Sequence, residues 1–124
     1  MTAQRFRRIA LSLPGAVESA HMAHPDFRVG KRIFATLGHP DAAWGMVKVS
    51  PEEQQMLVDA EPEVFRPVPG GWGKGGSTNV RLAAADAATL RSALTMAWKR
   101  IAPGQPPPGS GAKPRGRAGR AGRR

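Results

Sequence analysis

From Pro103 to Arg124 the sequence reads PGQPPPGSGAKPRGRAGRAGRR, without a single valine, leucine, isoleucine, methionine or aromatic residue. A segment of this kind has nothing to bury against the entropy lost on ordering, so it is expected to be a disordered basic tail, with Pro106 to Pro108 as a stiff, extended spacer. Any folded body must then come from residues 1–102, a length that suits one domain and hardly two. The charge divides at the same place. Six of the 19 Lys and Arg residues lie in the tail and none of the nine acids, so the formal +10 separates into +6 on the tail and +4 on the body.

Composition removes several classes. With no cysteine there is no disulfide framework, thiolate metal site or thiol nucleophile. No stretch approaches the roughly 18 apolar residues of a membrane span. The basic start at Arg5 precedes an apolar run that Pro14 cuts short, so no cleaved leader is expected and the cytoplasm is the default compartment.

The body reads as α+β. Apolar residues at Phe6, Ile9, Ala10 and Leu13 form a helical stripe over Ala3 to Leu13, stopped by Pro14-Gly15. Three runs rich in β-formers follow, about Ser19 to Val29, Arg32 to Gly38 and Trp44 to Val49, which predicts a three-stranded antiparallel meander. Gly30-Lys31 has the glycine-first order of a type II′ turn, and Ile33, Ala35 and Leu37 alternate with Arg32, Phe34 and Thr36 as in a half-buried sheet. Ser50-Pro51-Glu52-Glu53 is a capping box with proline at the first helical position, predicting a helix from Pro51 to Ala60. Pro62, Pro67 and Pro69 predict an irregular segment, Thr78 to Ala83 a further strand, and Asp86 caps a last helix striped by Leu90, Ala93, Leu94, Ala97, Trp98 and Ile101.

Several stretches resemble the MmcQ/YjbR family: ALSLPGAVE at 10–18, HMAHPDFRVGKRIFATLG at 21–38, PEEQ at 51–54, PEVFRPVPGGWGKGGSTNVRL at 62–82 and ALTMAW at 93–98. The likeness spans nearly the whole body, in order, and stops before the tail. It implies a two-layer domain with an antiparallel sheet packed by N- and C-terminal helices, of the kind likened to the bacterial frataxin fold, and a double-wing mode of DNA binding.

The candidate sites differ in weight. His21, His24 and Asp26 are three potential ligands within six residues. On a strand, however, positions 21 and 24 face opposite ways and Pro25 forbids a helix, so no metal site is predicted. The frataxin analogy does not restore one, because the first helix carries Arg5, Arg7 and Arg8 and no acid. Gly71-Trp-Gly73-Lys-Gly75-Gly76 matches G-x-G-x-x-G, but it lies between a proline-rich segment and a strand, where a dinucleotide fingerprint needs a strand before it and a helix after it. It reads instead as a flexible loop, with Trp72 expected to fold onto the core. No nucleophile stands beside an orienting base, so neither an enzymatic role nor a cofactor is expected.

The cations carry the functional reading. Lys31 and Arg32 at a hairpin tip, Lys48 on a strand, and Lys74 and Arg81 flanking the glycine loop and its strand could straddle phosphates as two wings. In the tail, Lys113-Pro114-Arg115-Gly116-Arg117 resembles the core of an AT-hook, with Ala118 in place of the closing proline. With Arg120, Arg123 and Arg124 it supplies six charges, which on duplex phosphates give a log-log salt slope of about −5. The sequence therefore predicts a monomeric, non-enzymatic protein that binds DNA with little sequence preference. The alternative is a small-ligand or protein-interaction domain with a pocket at His21, His24 and Trp72.

Overall fold

The first helix is defined at both ends by side-chain oxygens. In the computed structural model, which describes residues 1–21 and 24–102, the Thr2 hydroxyl accepts the Arg5 amide at 3.1 Å and α1 runs over Ala3–Leu11. The Ser12 hydroxyl donates to the Ile9 carbonyl at 2.6 Å, ending the helix two residues before the expected Leu13. Phe6, Ile9 and Ala10 are buried, as their spacing predicts.

The three predicted strands are four. The first run splits into β1 (Val17–His21) and β2 (His24–Val29), paired antiparallel from Val17 with Arg28 to His21 with His24. The neighbouring strands β3 (Arg32–Leu37) and β4 (Trp44–Lys48) are six and five residues long. A run of eleven residues at roughly 3.3 Å each would overshoot a sheet of that height, so the chain must reverse. At the next turn Gly30 and Lys31 have φ of +58° and +71°. Two positive values mark a type I′ turn, in place of the expected II′.

Alternation in β3 is also broken. Phe27 pairs with Ala35 but Arg28 with Ile33, so Phe34 is an additional residue in the ladder. This bulge lets Phe34 and Ala35, adjacent in the chain, both be buried, where strict alternation placed Phe34 on the other face.

After β4, α2 (Pro51–Ala60) begins with the expected capping box: the Ser50 hydroxyl accepts the Glu53 amide at 3.1 Å while the Glu53 carboxylate accepts the Ser50 amide at 2.9 Å. The segment expected to be irregular contains β5 (Phe65–Pro67). Pro67 is tolerated because β5 is an edge strand, where a missing N–H costs no ladder bond. A single turn, α3 (Gly71–Lys74), then leads to β6 (Ser77–Arg81), which is followed by a 3₁₀ turn at Leu82–Ala84. α4 (Ala87–Ile101) closes the body, its first turn capped by the Asp86 carboxylate, which accepts the Thr89 amide at 2.7 Å.

The sheet has six antiparallel strands in the order β1-β2-β3-β4-β6-β5. One face carries Phe27, Ala35, Leu37, Val47, Phe65 and Val80, which share a core with Phe6, Ile9 and Ala10 of α1, Leu57 of α2 and Leu90, Ala93, Leu94 and Ala97 of α4. Gly45 lets α1 approach the sheet closely, since a Cβ there would stand 2.6 Å from Cε2 of the buried Phe6 ring. The architecture is the α+β sheet with N- and C-terminal helices that the sequence predicts. No helix among the described residues is long and apolar enough to cross a membrane.

Candidate nucleic-acid interface

The pairing of Lys48 with Ser77 defines one end of the sheet, where β4 stops and β6 starts. The glycine segment enters β6 here, and its glycines are used for packing. A Cβ on Gly73 would lie 1.7 Å from the Val68 carbonyl oxygen, and one on Gly76, whose φ is +111°, would lie 1.9 Å from that of Val49. Both positions press backbone against backbone, so no other residue fits. Gln54 of α2 clamps the segment from the side, its Nε2 donating to the carbonyls of Gly73 and Ser77, each at 2.9 Å. The expected flexible loop is therefore a helical turn with fixed attachments.

That attachment explains the largest departure from expectation. Successive helical residues point about 100° apart, so seating Gly73 on Val68 turns Trp72 outward. The indole is 78% exposed rather than folded onto the core. At roughly 25 cal/mol per Å² and 150–250 Å² per ring, this forgoes several kcal/mol of possible burial.

Trp72 borders a shallow cleft of about 240 Å³ whose other walls include Lys48, Ser77 and Arg100. No local sequence pattern marks Arg100 as a member of this cleft. It sits in the last turn of α4, and only the packing of α4 on the sheet brings it to Lys48. Lys74, the next residue but one after Trp72, is exposed. Lys31 and Arg32 lie at the same end, because β3 begins where the antiparallel β4 finishes. From β3 to β6 is two strand spacings, roughly 10 Å. Among the described residues none of Lys31, Arg32, Lys48, Lys74 and Arg100 forms an ion pair; the two pairs present are Arg7–Glu18 and Asp26–Arg28.

Other expected members are elsewhere. Arg81 is paired with Trp44 at the opposite end of β6, about 13 Å of strand from Ser77. His24 is also at that far end: a Cβ on Gly38 would lie 3.1 Å from its Nδ1, and the Gly38 amide donates to the Trp44 carbonyl. His24 and Trp72 therefore do not line one pocket. The His24 ring stands edge-on to that of His39 with centroids 5.9 Å apart. The His21 side chain, and Lys113, Arg115, Arg117, Arg120, Arg123 and Arg124 of the tail, lie outside the described residues.

The family model YjbR matches residues 11–100. Among solved structures, the crystal structure of the Deinococcus radiodurans protein DR2400, with family-model domain DUF419, is similar at a TM-score of 0.65 and 21% identity, covering 79% of this chain and 76% of that one. At that identity the likeness bears on fold alone. No curated protein matches the chain.

Proposed function

The chain belongs to the MmcQ/YjbR family, and from that premise we propose that it is a non-enzymatic, sequence-tolerant DNA-binding protein whose folded body engages the strand at the Trp72 end of the sheet. The observation that carries this reading is the exposed indole of Trp72 sharing a cleft with Lys48 and Arg100. A ring held in solvent beside unpaired cations suits a nucleobase stacked on it while its phosphates meet the charges. Every base has a flat face, so such a contact has little sequence preference. Lys74, Lys31 and Arg32 extend the positive edge along the same end, and the basic segment after residue 102 adds long-range attraction.

Stacking on Trp72 requires an unpaired base, so single-stranded DNA is the preferred form. A small-molecule pocket is the weaker reading, because about 240 Å³ is below the roughly 300–1,000 Å³ usual for ligand sites.

Fluorescence anisotropy of the full chain with labelled single-stranded and duplex DNA, across salt concentrations, tests the reading. Trp72→Ala should weaken single-strand binding by roughly 5- to 150-fold, the equivalent of ~1–3 kcal/mol per stacked base. Lys48→Ala with Arg100→Ala should lower both the affinity and the salt slope. Absence of binding at low salt overturns the proposal, and so does binding that survives both changes and is lost only on removing residues 103–124.

A further inference from the structure

The face of the sheet turned away from the helices carries a second arrangement, running from the middle of β6 toward the end away from Trp72. Arg66 on β5 holds its guanidinium carbon 5.2 Å from the centroid of the Trp44 ring on β4. Strand β6 lies between those two, so the Arg66 side chain crosses it. Beneath that crossing is Asn79, paired in register with Arg66 on one side and Met46 on the other. Two residues along, Arg81 pairs with Trp44 and so stands diagonal to Arg66 on the same face.

Three properties converge there. The Arg66 guanidinium is already ordered by the indole, so its N–H edges are presented at little further entropic cost. Arg81 is exposed, and neither arginine forms an ion pair among the described residues. Asn79 is only 7% exposed, yet its carboxamide makes no side-chain hydrogen bond among the described residues, whereas buried amides are nearly always satisfied. A buried donor without a partner, set between two unpaired guanidinium groups, lacks a complementary acceptor.

We infer that Arg66, Asn79 and Arg81 form a binding site for a small oxyanion, a carboxylate or phosphate group carried by a low-molecular-weight ligand. The arginines supply paired N–H donors to its oxygens and the Asn79 amide donates from below. Trp44 holds Arg66 in place without touching the anion. The site shares no residue with the Trp72 cleft: Ser77, which lines the cleft, begins β6, whereas Asn79 is at the middle of the strand and Arg81 at its far end.

The test uses a peculiarity of composition: Asn79 is the one asparagine in the chain. Its side-chain NH₂ therefore gives one asparagine pair in a ¹⁵N–¹H correlation spectrum of the full chain. Titration with inorganic phosphate and with acetate, against sodium chloride at matched ionic strength, should shift that pair and the Trp44 indole N–H saturably in at least one arm. The arm that saturates at lower concentration assigns the anion class. Arg66→Gln and Arg81→Gln should each weaken the response at least tenfold, while Lys99→Ala, an exposed position on α4, leaves it unchanged. Both arginines are exposed, and retained spectral dispersion shows that each variant is folded. The inference is overturned if both anions act no differently from chloride, if the shifts fail to saturate, or if they persist in the arginine variants.

Discussion

Gln54 Nε2 lies 2.9 Å from the Gly73 carbonyl oxygen and the same distance from that of Ser77, so one side chain of α2 ties the turn that presents Trp72 to the first residue of β6. Replacing Gln54 by Leu keeps the volume but removes two hydrogen bonds, leaving the Gly73 carbonyl with the Gly76 amide and the Ser77 carbonyl with the Val68 amide, at a cost of about 1–3 kcal/mol for the two. Gln54→Glu should be worse, because it sets a carboxylate against two carbonyl oxygens. Chemical denaturation measures the stability change, and hydrogen exchange at Gly75 and Gly76 should accelerate. Unchanged exchange would show that the clamp does not hold the turn.

Gly45→Ala places a methyl group against the fully buried Phe6 ring. Overpacking of this kind costs about 1–3 kcal/mol. Phe6→Leu should relieve part of it, so the double variant should be more stable than the sum of the single losses predicts. Strict additivity in the cycle would refute the steric account.

Asp26 and Arg28 form a two-bonded pair at 2.8 and 3.1 Å in which only the carboxylate is deeply buried, at 1% exposure against 32% for the arginine side chain. Asp26→Ala leaves a guanidinium that water can reach, and should cost about 1.5–3 kcal/mol. Arg28→Ala leaves a buried carboxylate without its partner and should cost more. The reverse order in urea denaturation would show that water reaches Asp26.

The Asp86 carboxyl is held below its ordinary value of 3.8, first by the Thr89 amide and then by the Thr89 side chain. A lowered folded-state value means that its contribution is complete above the ordinary carboxylate range and is lost as pH falls through the lowered value. Asp86→Asn keeps a capping oxygen but cannot titrate. Thermal melts should show little change at neutral pH and a shallower acid loss; an unaltered acid limb would contradict the assignment.

Lys31 sits at φ +71°, a conformation that costs a side-chain-bearing residue roughly 1 kcal/mol and glycine almost nothing. Lys31→Gly should therefore raise the melting temperature while lowering the slope of log affinity against log salt by about 0.7–0.9, one phosphate contact. A stabilised variant with an unchanged slope would remove Lys31 from the interface.

Short-range patterns were readable without coordinates. The Ser50–Glu53 box, the Asp86 cap and the α4 stripe each depend on residues within a few positions of one another, and the helices begin where those residues stand. The strands were legible as apolar runs, but not their number, since β5 is three residues long and contains a proline. The candidate interface was half legible. Lys31, Arg32, Lys48 and Lys74 stand at turns and strand ends that local sequence marks and share one end of the sheet, whereas strand length carries Arg81 to the other end, backbone packing turns Trp72 outward and helix packing brings in Arg100.

Composition, and hydrogen bonds spanning three or four residues, suffice to set the segregation of charge, the α+β class and the helix starts. Tertiary structure decided which cations share an end of the sheet, why Trp72 faces solvent and how Arg66 reaches Trp44. Those follow from strand order, from the bulge at Phe34 and from the seating of Gly73 on Val68, all products of burial between residues distant in the chain or of backbone contacts that side-chain type does not announce.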